Sequence, residues 1–187
     1  MFFDGSFTQQ GSGAGLLFIT PHKYSFPKAY KILFPCTNNI AKYEALINGM
    51  KIAAEWRVDQ LDIFGDSQLV INQVNDVYQT KDEKLIPYKC MVDDLTKYFA
   101  HITFQQVPRV DNKAADAMAT LASLLQMLEN DLRHEFLVEA LHYPAYDTPD
   151  SRMICSIIGQ ESSCYHHIYS YLRNQTIPEG LTRNEKC

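Results

Sequence analysis

Apolar residues and turn formers alternate over short distances in the first stretch of the chain. Met1 to Phe7 is an aromatic run broken by Asp4 and Gly5. Gly11, Gly13 and Gly15 then read as a turn before Leu16, Leu17, Phe18 and Ile19. After Pro21 and Pro27, which read as loop, comes a third run with Ala29, Tyr30, Ile32, Leu33 and Phe34. Three short β-like runs joined by tight turns predict an antiparallel meander.

The period then changes. Between Asn38 and Trp56, Ile40, Tyr43, Leu46, Ile47, Met50, Ala53 and Ala54 recur at helical spacing, with Thr37, Asn38 and Asn39 offering N-cap chemistry. Leu61–Gly65 predicts a strand, Ser67–Val74 a helix, Asp82–Phe99 a second helix and Ile102–Val107 another strand. A long helix follows from Asp111 to about Asn130, capped by Asp111 or Asn112. Strands first, then helices alternating with strands, indicate an α/β domain whose mixed sheet grows from the meander by parallel strands added through crossover helices. The domain spans residues 1–129. Residues 130–187 read as a C-terminal appendage, with a β-like segment at Glu135–Leu141, a Pro- and Ser-containing stretch at Tyr143–Ser163 and a weakly helical end at Tyr165–Cys187.

Composition narrows the class. Hydrophobic residues at 46% and charged residues at 21% of 187 describe a globular chain. No apolar run approaches the roughly 20 residues of a membrane span, so no membrane partner is expected. A net charge of -5 argues against a non-specific nucleic-acid coater. It leaves room for an enzyme that touches a duplex over a small footprint and offsets its acidic site with metal ions. The five cysteines contain no C-x-x-C and read as reduced thiols of an intracellular protein, cytoplasmic or nuclear. Cys164, His166 and His167 form a cluster without a second ligand pair nearby, which argues against zinc.

Three aspartates carry the candidate chemistry. Each has a plain structural explanation: Asp4 precedes Gly5 as turn residues do, Asp66 precedes Ser67 and a helix, and Asp116 lies in the first turns of a helix. Together they point elsewhere. Side chains just past the carboxyl ends of strands in an open α/β sheet converge on one crevice. Carboxylates gathered there repel one another unless cations neutralise them. Hard oxygen ligands suit magnesium, and paired ions are a device for phosphodiester cleavage.

The spacing also carries a resemblance. Phe2-Phe3-Asp4-Gly5-Ser6, Thr37-Asn38-Asn39, Gly65-Asp66-Ser67-Gln68-Leu69-Val70 and Pro108-Arg109 through Asn112-x-x-x-Asp116-Ala117-x-Ala119 resemble, in order and distance, the type 1 ribonuclease H family. The likeness is to the domain found in plant gypsy-class LTR retrotransposon polyproteins, and it covers roughly residues 1–128. Phe136 to Ala145, and Tyr169-Ser170-Tyr171-Leu172 through Ile177-Pro178-Glu179, resemble the connector leading to integrase in such polyproteins. The resemblance implies a five-stranded mixed sheet in order 3-2-1-4-5 flanked by helices. It implies two Mg2+ ions, with Mn2+ as an alternative, held by an Asp, Glu, Asp, Asp set to which Asp4, Asp66 and Asp116 correspond. The implied activity is hydrolysis of the RNA strand of an RNA–DNA hybrid, with the reverse transcriptase and integrase portions of the same polyprotein as further partners.

One position departs from that set. The family's glutamate lies three residues after the second Asn of the T-N-N motif, where this chain has Lys42. Glu44 is near in sequence, but two helical residues turn through about 200°, so Lys42 and Glu44 flank the buried stripe on opposite sides. If Lys42 faces the crevice, Glu44 does not. An ammonium there pairs with Asp4 or Asp66, takes the space of a metal and leaves the set at -2 instead of -4. The expected result is a surviving fold with severely impaired hydrolysis. The other reading lets Lys42 snorkel to solvent while the three aspartates hold enough metal for residual activity. Either an impaired endoribonuclease or a non-catalytic module that binds hybrid, or only spaces a polymerase from an integrase, fits these residues.

Two further patterns weigh less. Gly11-Ser12-Gly13-Ala14-Gly15 lacks the Lys-Ser or Lys-Thr of a phosphate-cradling loop and reads as a hairpin turn. Lys81, Lys84, Lys89 and Lys97 could face phosphates, but Asp82, Glu83, Asp93 and Asp94 dilute them into ordinary helix surface charge.

Overall fold

The computed structural model describes residues 1–124 and 138–147. The Cys164–His166–His167 cluster, the stretch after Asp147 and the far end of the last predicted helix lie outside the described residues. The meander forms as expected: β1 (Phe2–Thr8), β2 (Gly11–Ile19) and β3 (Ser25–Ile32) pair antiparallel in sequence. Helix α1 (Asn38–Glu55) leads to β4 (Gln60–Gly65), which joins β1 in parallel. Then α2 (Gln68–Val74) and α3 (Ile86–Thr96) lead to β5 (His101–Gln106), parallel to β4. A 3-10 turn at Arg109–Asp111 precedes α4 (Lys113–Leu124). The sheet runs β5-β4-β1-β2-β3-β6, the expected five-strand order extended by β6 (Val138–Leu141), which lies parallel to β3.

Two details of the meander differ from the sequence reading. The hairpin turn sits at Gln9 and Gln10, while Gly11 to Gly15 lie inside β2. The glycines serve packing: a Cβ on Gly13 would strike the Ala119 carbonyl and Ser123 N, and one on Gly15 would strike the Ala115 carbonyl and Ala119 N. Their absence of side chains lets α4 lie directly on β2. Pro27 is likewise in a strand, opposite Leu17. It falls in the part of β3 that β6, starting opposite Ala29, does not reach, where a missing N–H costs the sheet little.

Helix α1 is the centre of the core. Thr37 caps it by accepting a hydrogen bond from Ile40 N, and Tyr43, Leu46, Ile47, Met50 and Ala53 are wholly buried against the sheet. Its backbone approaches β1 so closely at Gly5 that a Cβ there would collide with Lys42 N and the Ala41 carbonyl carbon. That contact fixes what α1 presents next to Asp4. No helix among the described residues is long and apolar enough to cross a membrane.

Candidate active site

Parallel pairing aligns Phe3 of β1 with Gly65 of β4, so the next residues along, Asp4 and Asp66, come side by side at the carboxyl end of β4. Asp116 enters from the first turn of α4. The start of α4 is tied to β1 by Asn112, whose Nδ2 donates to the Phe3 carbonyl at 3.0 Å. Asn112 is therefore buried and bonded across the fold instead of capping the helix through its side chain. Its Oδ1 has no hydrogen-bond partner. The three aspartates line one cleft of about 270 Å³ together with Lys42, Arg109 and Asn38.

Lys42 does face that cleft. Its Nζ donates to Asp4 Oδ1 at 2.5 Å and to Asp66 Oδ1 at 2.6 Å. Asp4, 3% exposed, also accepts from Gly5 N at 2.8 Å. Burial raises the Asp4 carboxyl above its usual range, an effect the Lys42 hydrogen bond only partly offsets. Burial also works against the ammonium, but its hydrogen bonds to Asp4 and Asp66 outweigh that and hold Lys42 firmly protonated.

Glu44 lies elsewhere. It is fully buried on the other side of α1, where Oε1 accepts from Ala145 N at 2.8 Å and Oε2 from Asn48 Nδ2 at 3.3 Å. It cannot reach the cleft that Asp4 and Asp66 line, as the helical angle between positions 42 and 44 requires.

Arg109 is the residue that the sequence argument left unassigned. Its guanidinium Nη2 donates to Asp116 Oδ1 at 3.1 Å, while the Arg109 side chain remains 78% exposed. Hydrogen bonding to Asp116, with Asp66 and Asp4 also near, raises its pKa further. The sequence signal was present: Arg109 lies seven residues before Asp116, across a proline-led turn that folds it back on the helix start.

A two-metal centre would draw on the carboxylates of this cleft. Carboxylates are suitable ligands for hard divalent ions. Here, however, the Oδ1 atoms of Asp4 and Asp66 are bridged by an ammonium, and Oδ1 of Asp116 is taken by a guanidinium. Among the described residues, no three His, Cys, Asp or Glu side chains come together as a group able to hold a metal. The arrangement does not fit a pair of magnesium ions.

Residues 2–122 match the family described as reverse transcriptase-like. The chain belongs to that family. Its ribonuclease H-like domain is related to ribonuclease HI: the enzyme of that name from Halobacterium salinarum is 37% identical over 86 residues, covering 46% of this chain and 43% of the relative. A bifunctional protein of Mycobacterium tuberculosis is 28% identical over 109 residues, covering 58% of this chain and 30% of the relative. The chain thus spans less than half the length of these curated relatives. Among solved structures, RNase H1 from the halophilic archaeon Halobacterium salinarum superposes with a TM-score of 0.61 at 29% identity, over 65% of this chain and 93% of that one. LC11-RNase H1, solved in complex with an RNA/DNA hybrid, gives 0.58 at 21% identity, over 64% of this chain and 92% of that one, a likeness of fold.

Proposed function

We propose that this reverse transcriptase-like domain binds RNA–DNA hybrid and that its capacity for metal-dependent hydrolysis of the RNA strand is severely impaired. One observation carries the reading: the Lys42 ammonium bridges Asp4 and Asp66, with Nζ 2.5 and 2.6 Å from their Oδ1 atoms. Asp4, Asp66 and Asp116 are the residues this reading assigns to the hydrolytic site. A divalent pair, if held by them, would activate a water and stabilise the leaving oxygen. A lysine supplies charge but neither open coordination positions nor a lowered water pKa. What the chain's own residues can still do is orient a backbone in the cleft.

The test is cleavage of a labelled RNA–DNA hybrid in Mg2+ or Mn2+ by the parent chain and by Lys42→Glu. Cleavage by the variant alone supports a disabled nuclease. Equal cleavage by both would sink the reading of Lys42.

A spacer role in a retroelement polyprotein is a second reading, and residues 138–147 favour it. Strand β6 is hydrogen-bonded into the sheet beside β3, so anything following it starts from a fixed point on the domain. On this reading, residues 130–187 connect the domain to an integrase portion, with reverse transcriptase on the other side. Limited proteolysis of a longer polyprotein carrying those portions tests it: the described elements up to residue 147 should survive as one unit, and cuts within β6 would oppose the reading.

A further inference from the structure

The ion pairs in the cleft come in two kinds, and the difference has a consequence for binding. Lys42 is locked: its side chain is 11% exposed, and the Asp4 and Asp66 carboxylates that hold it are 4% and 13% exposed. Arg109 is not. It uses one nitrogen on Asp116 and points the rest of its fork outward from the rim of the same cleft. A guanidinium carries five N–H donors in a plane, matched to a phosphate edge. An exposed ion pair of this sort is worth little and is readily exchanged. Among the described residues lining the cleft, the Ser6 and Thr120 hydroxyls and the Asn38 amide are the neutral polar groups beside it.

We infer that the cleft carries its own two cations in place of divalent ions, and that Arg109 is the group in it that contacts a phosphodiester of the hybrid. This rests on the hybrid-binding reading above. Lys42 partly neutralises the Asp4–Asp66 pair from within, so a phosphate approaching the cleft meets three carboxylates with one locked and one exchangeable cation instead of three bare carboxylates. Binding then needs no added metal. Arg109 exchanges its one bond to Asp116 for bonds to a phosphate, while Asn112 keeps Asp116 and the α4 start in place. Arg109 is a substrate-binding residue in this scheme and forms no part of a bond-breaking step.

Two measurements test it. The first is Mn2+ alone, titrated into the full chain and followed by electron spin resonance. The parent should leave the ion free at one equivalent, and stoichiometric uptake that competition with Mg2+ abolishes would overturn the claim that the cleft supplies its own cations. This readout involves no nucleic acid, so it stands whatever the hybrid experiment gives. The second is fluorescence anisotropy of a labelled hybrid at constant ionic strength. Parent Kd should agree within about twofold between EDTA and Mg2+, since no phosphate contact is metal-borne. Arg109→Ala should weaken binding about tenfold and lower the salt slope by about one contact. Arg109→Lys should recover the salt slope but only part of the affinity, because the charge returns without the fork. Unchanged affinity in Arg109→Ala, with the parent binding well, overturns the Arg109 assignment alone. No binding by the parent in either buffer overturns the hybrid-binding reading and the Arg109 contact with it. Arg109 is exposed, so its variants are expected to fold, and far-UV circular dichroism checks that they do.

Discussion

Glu44 and Ala145, 101 positions apart, are joined by a hydrogen bond from the Ala145 N–H to Glu44 Oε1 at 2.8 Å. The bond is buried, and around it the segment is clamped further: Lys51 Nζ donates to the Ala145 carbonyl at 3.0 Å, and the Tyr88 and Tyr146 rings meet edge to face at 4.9 Å. Strand β6, just before this point, adds the Lys28–Glu139 ion pair to its backbone bonds with β3. Helix α1 therefore works on both sides, holding Lys42 in the cleft and clasping residues 138–147 behind it.

Replacing Glu44 by Ala strips the acceptor from a buried N–H and leaves a cavity, and should cost about 2–4 kcal/mol. Glu44→Gln keeps an oxygen for Ala145 N and should cost much less. Urea unfolding of the three proteins separates the cases. If Ala and Gln are equivalent, the clasp contributes nothing.

The same carboxyl makes stability depend on pH. Burial raises the Glu44 pKa above its ordinary 4.5, even though Ala145 N, Tyr88 and Lys51 favour the charged form. The folded chain thus holds this proton more tightly than the unfolded chain does. By linkage, the contribution of Glu44 is most favourable below the ordinary value and is lost as pH rises from there through the raised one. Glu44→Gln removes that loss. Its urea midpoint relative to the parent should therefore climb as pH is raised from below 4.5 toward neutrality, and a flat difference would contradict a raised pKa.

Periodicity exposed most elements because apolar residues recur along them at strand or helix spacing, whereas the order of the strands was legible only through the family resemblance. That Lys42 and Glu44 face apart was legible from helix angle, since position around α1 is fixed by 100° per residue, but which of them faces the cleft rested on the family's motif spacing. What stayed hidden depended on approach between distant backbones. Gly13 and Gly15 look like a turn in isolation, and only the seating of α4 on β2 shows why they lie in a strand. Arg109 reads as a loop charge until the turn at Arg109–Asp111 folds it onto Asp116. Ala145 carries no pattern at all, and its partner Glu44 drew notice for a different reason.

Lys42→Met keeps the aliphatic stem and removes the ammonium. Asp4 and Asp66 then face each other without a countercharge, Asp4 almost wholly out of water. Removing one partner of such a buried set typically costs about 3–5 kcal/mol. The figure for this site should lie at or below the lower end, because Asp4, already raised, can take up a proton instead. Chemical denaturation at neutral pH should show the loss, and acidification should shrink it as the carboxyls are neutralised. A variant as stable as the parent at pH 7 would mean that the Lys42 bridge is incidental to the fold.

The packing of α4 on β2 links the fold to the cleft most directly. Gly15 is the antiparallel partner of Asp4 and sits beneath Ala115 and Ala119, one residue before and three after Asp116. A methyl at Gly15 meets the Ala115 carbonyl, Ala119 N and Met118 Cβ, none of which can yield by rotating a side chain. Gly15→Ala should therefore lift the start of α4 and cost about 1–3 kcal/mol through overpacking. The displaced helix carries Asp116, and with it the Arg109 pair, away from Asp4 and Asp66. Hybrid affinity should fall in the same variant although residue 15 itself does not line the cleft. Substituting Gly49 instead, where an added Cβ meets the flexible Met1 and Leu16 side chains, serves as the control. Loss of stability and of affinity in Gly15→Ala, with little of either in Gly49→Ala, is the expected outcome. Equal loss of affinity in the two would show that hybrid binding has no special dependence on how α4 is seated.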